Sequence, residues 1–358
     1  MAEKMMEYIR SQPLVWGEAC RLLEGPACAA AADLLQQGMP LRVVMIGSGS
    51  SLYAAQAAAE LLQAADGPEF FAVPPTRLGP FARPRPGTVY WAVSQSGKST
   101  STEGAVLALR AAGARVWALT AEAASPLARS ADGHLLIPCG QESVGPKTKG
   151  MTCTVLALWL LGMALSLGGR RPELRARAEA LFPTFCAAEQ NLALCAQWAQ
   201  NCLPAVRAAH CLTLVAEGPA LPLAQEGALK LLETLYIPAS AWEFEEYLHG
   251  VNNIIGPGQV HLFLLRGGKN RARMERLLQY CEARGAVCLT VDCSPPRPGV
   301  AGCRLGLGCT GLAEALPYEA LPAFQVLSAL GSEARGIDCD RPRYPDFYAA
   351  LGTKLGAK

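Results

Sequence analysis

The chain has little charge. Asp, Glu, Lys and Arg make up 17% of its 358 residues, against 51% hydrophobic, and the formal net charge is +2. With no run of Lys or Arg it lacks the clustered positive charge on which nucleic acid or an acidic membrane surface is held. The expected partner is therefore a small molecule, with no nucleic acid and no membrane. Histidine is scarce, with four residues, and the 14 cysteines (Cys139, Cys153, Cys186 and Cys195 among them) form no C-x-x-C pair. Zinc sites need closely spaced ligands, so no metal is expected and the thiols read as small buried hydrophobes. The longest apolar run, "CTVLALWLLGMALSLG" from Cys153 to Gly168, falls short of the roughly 18 to 20 residues that cross a bilayer and reads as a buried helix. The first residues, "MAEKMMEYIRSQPLVWGEACRLL", have no apolar stretch with a small-residue cleavage site. A cytoplasmic location is the expectation.

What the chain does have is enough apolar material for two domains with large cores. Short β-rich runs alternate with longer Ala/Leu-rich segments, the pattern of parallel sheets covered by helices. "LRVVMI" (41–46), "TVYWAV" (88–93), "RVWALT" (115–120) and "HLLIP" (134–138) form one set of strands, and "CLTLVA" (211–216), "VHLFLL" (260–265) and "AVCLTV" (286–291) a second. The fold class is α/β. Residues 1–165 are expected to form a first domain with an N-terminal helix, 166–208 a helical connector, 209–340 a second domain, and 341–358 a C-terminal tail.

The halves resemble each other. "MIGSGSSLYAAQ" and "LVAEGPALPLAQ" align without a gap, placing Gly49 over Gly218 and Gln56 over Gln225, about 170 residues apart. That spacing points to duplication of one domain.

Four segments carry chemistry. "IGSGSS", with Ser48, Gly49, Ser50 and Ser51, is a Gly-rich turn opening a helix, where backbone N–H groups favour an anion. It lacks the third glycine of G-x-G-x-x-G and the lysine of a P-loop, so a nucleotide is weakly supported and no cofactor is expected. "VSQSGKSTST" places Ser94, Gln95, Ser96, Ser99 and Thr100 around Gly97 at a helix start. A phosphate site fits this hydroxyl density, and N-capping is the alternative for any one of them. In "QESVGPKTKGMTCT", Lys147 and Lys149 face either solvent or an anion. In "EGALKLLE", Glu226, Lys230 and Glu233 lie along one helical stripe, either a salt-bridged outer face or a site. His249 follows sixteen residues after Glu233, beyond Pro238.

Together these segments resemble the double-domain sugar isomerase (SIS) family, specifically fructosamine-6-phosphate deglycases and the isomerase half of glucosamine-6-phosphate synthase. "SQSGKS" is similar to the family's phosphate motif, "GSGSS" to its first sugar loop, and "EGALKLLE" with "YLHG" to its catalytic region. The resemblance implies two three-layer α-β-α domains, each with a parallel sheet flanked by helices. It implies that Ser94, Gln95, Ser96 and Ser99 hold a sugar phosphate, that Ser48 and Ser51 line the same pocket, and that Glu226 and Lys230 support it. Glu233 falls where the family moves a proton between C1 and C2 of the open-chain sugar. His249 falls where it assists ring opening, supplied by the other subunit of a homodimer. A glutamate raised by an apolar pocket suits the first role, and a near-neutral imidazole suits the second. The synthase's N-terminal glutaminase domain, with its nucleophilic Cys, has no counterpart, so glutamine is not the expected ammonia source. In the tail, "DCDRPRYPDFYAALGTK" keeps Pro342 and Arg343 but has Phe347 where the synthase has a lysine, with Lys354 nearby. The resemblance thus favours a metal-independent deglycase, with an isomerase or deaminase as the alternative and a non-catalytic sensor as a third reading. Trp242 and Phe244 read either as amine-pocket residues or as core.

Overall fold

A computed structural model describes residues 2–63, 65–79, 83–294 and 297–356. It divides into two compact units. The first comprises Leu14–Glu142, Lys149–Phe182 and the tail from Pro342; the second comprises the first residues up to Pro13, Ser143–Thr148 and Pro183–Arg341.

In the first unit β1 (Arg42–Ile46), β2 (Glu69–Val73), β3 (Thr88–Val93), β4 (Val116–Thr120) and β5 (Gly133–Leu136) form one sheet in the order β2-β1-β3-β4-β5. Every pair is parallel. β4 is buried at every position, β1 at all but its first residue and β3 at all but its first two, which is why they read as continuous apolar runs rather than alternations. β2 was not expected. As an edge strand it buries only Phe70 fully, leaving a weak signal. The helices of this unit are α2 (Ser50–Leu62), α3 (Thr100–Ala111), α4 (Pro126–Ser130), α5 (Lys149–Ser166), α6 (Arg171–Glu179) and α12 (Phe347–Ala350). α5 has the length and apolarity to cross a membrane, yet every residue from Gly150 to Leu165 is buried, as the core helix expected of that run. α2 approaches it closely at Gly162, where a Cβ would lie 2.4 Å from Leu62.

The second unit contains α7 (Phe182–Ala208), β6 (Leu212–Ala216), α8 (Leu221–Leu235), β7 (Ala239–Glu243), α9 (Phe244–Leu248), β8 (Val260–Leu265), α10 (Arg271–Ala283), β9 (Val287–Asp292), β10 (Gly299–Ala301), β11 (Arg304–Gly306) and α11 (Leu316–Ala334). Its sheet runs β10-β11-β9-β8-β6-β7. Only the β10–β11 hairpin is antiparallel. Apart from that hairpin strand, the order repeats that of the first sheet. Gly49 and Gly218, matched by the sequence repeat, both have positive φ, 57° and 50°, where glycine carries no Cβ penalty. α8 packs on α11 through Gly227, where a Cβ would lie 2.7 Å from the Phe324 ring.

The segment 166–208 contains α6 and α7. α6 belongs to the first unit and nearly all of α7 to the second, and α1 (Glu3–Leu35) is likewise divided between them near Pro13.

His261 on β8 is fully buried, with Nε2 2.8 Å from the Tyr247 hydroxyl. Its Nδ1 has no partner among the described residues, so protonation would bury an unsatisfied donor. Burial pushes its pKa from 6.5 down to about 4. Between those values the unfolded chain holds the proton and the folded chain does not. Stability present above pH 6.5 is therefore lost as pH falls towards 4, by about 3 kcal/mol. In urea titrations at several pH values, His261→Gln should be less stable at pH 7 and show a flatter acid slope across this window.

Candidate active site

In each sheet the first strand lies between the second and the third, so the connections leave its two sides in opposite directions and open a crevice at the strand C-termini. In the first unit the turns bordering that crevice are 47–50 after β1 and 94–99 after β3, on strands paired with Ile46 opposite Ala92. They are the two hydroxyl-rich loops of the sequence. Ser48 is exposed, Gly49 precedes α2, and Ser50 and Ser51 form its first turn half-buried. Ser94 is buried, and its carbonyl accepts from Gly97 N–H at 2.9 Å. Gly97, at φ 61°, lies against Ser125: a Cβ there would sit 2.2 Å from Ser125 Oγ. Ser96 Oγ accepts from Lys98 N–H at 3.4 Å.

Two members of the loop have partners of their own. Ser99 caps α3, its Oγ accepting from Thr102 N–H at 3.4 Å and from Thr102 Oγ1 at 3.0 Å. Gln95 Nε2 donates to Glu142 Oε2 at 3.1 Å, and the same oxygen accepts Gly150 N–H at 2.9 Å, at the start of α5. Glu142 escaped the sequence reading, although an acid placed shortly before a long helix is a signal for such a contact. Lys147 Nζ donates to the Val144 carbonyl at 2.9 Å, closing its own turn.

The other candidate residues lie in the second unit. The stripe on α8 is not a solvated face. Glu226 and Lys230 have side-chain exposures of 0% and 1%, and Glu233 34%. Lys230 Nζ lies 3.4 Å from Glu226 Oε1 and 2.6 Å from Glu233 Oε2. Burial by itself would lower the Lys230 pKa, but the two carboxylates outweigh it and the net shift is upward. An ammonium without them would cost several kcal/mol to bury. The Glu233 carboxylate is partly exposed and ion-paired to Lys230. Its Oε1 makes no hydrogen bond among the described residues, which leaves one oxygen open to solvent or ligand. α8 ends at Tyr236 in a left-handed conformation, φ 56°.

His249 follows α9, exposed, and no hydrogen bond or ion pair joins it to the α8 triad among the described residues. Phe244 is core, beneath Arg273 at 4.9 Å from its ring centroid. Trp242 on edge strand β7 is 40% exposed. Among the described residues no group of three or more His, Cys, Asp or Glu could hold a metal ion.

Residues 40–164 match the family model of the SIS domain. The chain carries a SIS domain. A curated relative, the isomerizing glutamine–fructose-6-phosphate aminotransferase of Aeropyrum pernix, is 29% identical over 95% of this chain and 56% of its own length. That of Pyrobaculum aerophilum is 30% identical over 70% of this chain and 42% of its own. The chain thus spans about half the length of these relatives. Its fold matches the C-terminal domain of glucosamine-fructose-6-phosphate aminotransferase from Francisella tularensis, with a TM-score of 0.82 at 19% identity over 94% of this chain and 98% of that one. The SIS match covers the first sheet with both hydroxyl-rich loops, and the aminotransferase homology extends over the α8 segment as well.

Gly150 lets Gln95 and Glu142 meet, since a Cβ there would lie 2.1 Å from Gln95 Nε2 and 2.5 Å from Glu142 Oε2. Gly150→Ala should destabilise the SIS domain by about 1–3 kcal/mol in urea unfolding. Gly145→Ala, with nothing within 4 Å of the new Cβ, should stay within about 0.5 kcal/mol.

Proposed function

We propose that this SIS chain is a sugar-phosphate enzyme that moves a proton between C1 and C2 of an open-chain sugar 6-phosphate, with Glu233 as the base. The observation that carries the reading is the Glu226–Lys230–Glu233 cluster. A buried ammonium clamped by one buried carboxylate holds the second carboxylate at a surface where substrate can reach it. Positioning of that kind lowers the reorganisation needed for proton transfer. The hydroxyl-rich loops of the first unit suit a phosphate, with Ser48, Ser50, Ser51, Ser94 and Ser96 as donors. Ser99 acts there through α3, and Gln95 through Glu142.

Within this class we infer a deglycase acting on a 6-phosphorylated fructosamine. Glu233 takes the C1 proton of the ketosamine and returns it at C2, while the amine N–H proton passes to O2, so that the C2 carbonyl becomes CH–OH and the C1–N bond an imine. Water adds at C1, the amine leaves, and glucose 6-phosphate remains. Phe347 in place of the synthase-type tail lysine supports this choice over an aminotransferase. His249, exposed and apart from the α8 triad of its own chain, supports a homodimer in which it assists ring opening in the neighbouring subunit. The homology to aminotransferase isomerase halves keeps an isomerase or deaminase on glucosamine 6-phosphate as the second reading.

Incubation with fructoselysine 6-phosphate, fructose-asparagine 6-phosphate and glucosamine 6-phosphate should give glucose 6-phosphate and free amine from one of the first two. Fructose 6-phosphate with ammonia would instead establish the second reading. Glu233→Gln should lower kcat by about 10²- to 10⁴-fold while sugar-phosphate binding persists. Unchanged turnover would refute the mechanism.

A further inference from the structure

The C-terminal tail touches the phosphate loop inside the first unit. Leu355 N–H donates to the Lys98 carbonyl at 2.8 Å, Thr100 N–H reaches the Thr353 carbonyl at 3.4 Å, and Ser99 and Lys354 form an antiparallel bridge. The tail is itself folded back, with Thr353 N–H on the Tyr348 carbonyl at 3.1 Å. Lys354 Nζ lies 3.6 Å from the Tyr348 ring centroid. It is a cation held on an aromatic face, and no ion pair to Lys354 or Lys98 occurs among the described residues. Burial, and then the like charge of Lys98, lower the Lys354 pKa.

Three sources of positive potential therefore meet at one loop, the N-terminus of the 12-residue α3, Lys98 and Lys354, while the carboxylate in the first turn of α3, Glu103, accepts from Ser130 Oγ at 3.1 Å. The hydroxyls of Ser94 and Ser96 can orient a phosphate but do not offset its two negative charges. We propose that Lys354, brought to the loop by the tail and acting with Lys98, supplies the counter-charge for the phosphate of the bound sugar and so sets the preference for dianionic phosphate esters. The assignment rests on the functional reading above. It also gives the tail a binding role independent of the missing synthase-type lysine. A cation near a doubly charged ligand stabilises it more than a neutral hydroxyl does, whereas the main-chain pairing of residues 353–355 needs no particular side chain.

The test is calorimetric titration of the full chain with glucose 6-phosphate. Lys354→Ala and Lys354→Met should each weaken binding about tenfold, and Lys354→Arg should remain within about threefold of the parent. All three should leave the unfolding midpoint nearly unchanged. Parent-like affinity in Lys354→Met, with or without a loss in Lys354→Ala, would overturn the proposal, because Met keeps the length and packing and removes only the charge. A parent chain that does not bind glucose 6-phosphate would overturn the functional reading itself, and so the two failures are distinguishable.

Discussion

The position of the first strand in each half governs where chemistry can occur. With β1 between β2 and β3, and β6 between β7 and β8, the right-handed crossovers that a parallel sheet demands must leave on opposite sides. The crevice that results is lined by main-chain N–H groups at helix starts, whatever the side chains are. Side chains then decide what the crevice does. In the first unit the turns are Ser-rich, with glycines at 47, 49 and 97 admitting close approach. Gly97 needs both its left-handed φ and the absent Cβ facing Ser125.

The α8 triad works by a different electrostatic principle. The hydroxyl and main-chain groups of the first-unit loops present neutral donors and partial charges. The triad of the second unit carries full charges, and only their mutual pairing makes burial tolerable. Removing Lys230 takes away the cation that both carboxylates share, whereas removing either carboxylate leaves Lys230 paired with the other, so substitutions there should be read with a stability measurement alongside activity. The α8–α11 contact at Gly227 keeps this helix seated against the sheet, because no larger residue fits beside Phe324.

Much of this was legible in the sequence, for a physical reason in each case. Strands buried on both faces show as unbroken apolar runs, so β1, β3, β4, β6, β8 and β9 were readable to within a residue or two. β2 and β7 sit at edges with mixed burial, and their sequences, "EFFAV" and "ASAWE", carry little pattern. The repeat was legible because Gly49 and Gly218 answer the same backbone requirement. The burial of Glu226 and Lys230 was not, because i, i+4 spacing is identical for a solvated stripe and an internal ion pair. Nor were the attachment of Gln95 to Glu142 and that of Lys354 to Ser99 legible. These contacts cross 47 and 255 positions of sequence and leave no local periodicity.

The two copies of the duplicated scaffold differ at their equivalent turns. The residue aligned with Ser48 in the second half is Glu217. Its Oε2 accepts from Asn270 Nδ2 at 2.7 Å, at the cap of α10. The turn after β8, "RGGKN", contains no hydroxyl residue. The second switch point therefore holds a carboxylate of the chain's own where the first presents serines, with Arg266 and Lys269 in the turn beside it. The first repeat thus presents serines at its switch point, and the second carries the charged triad on its first helix, α8. This division follows from one substitution class at equivalent positions, serine in one copy and glutamate in the other, on a backbone that both copies share.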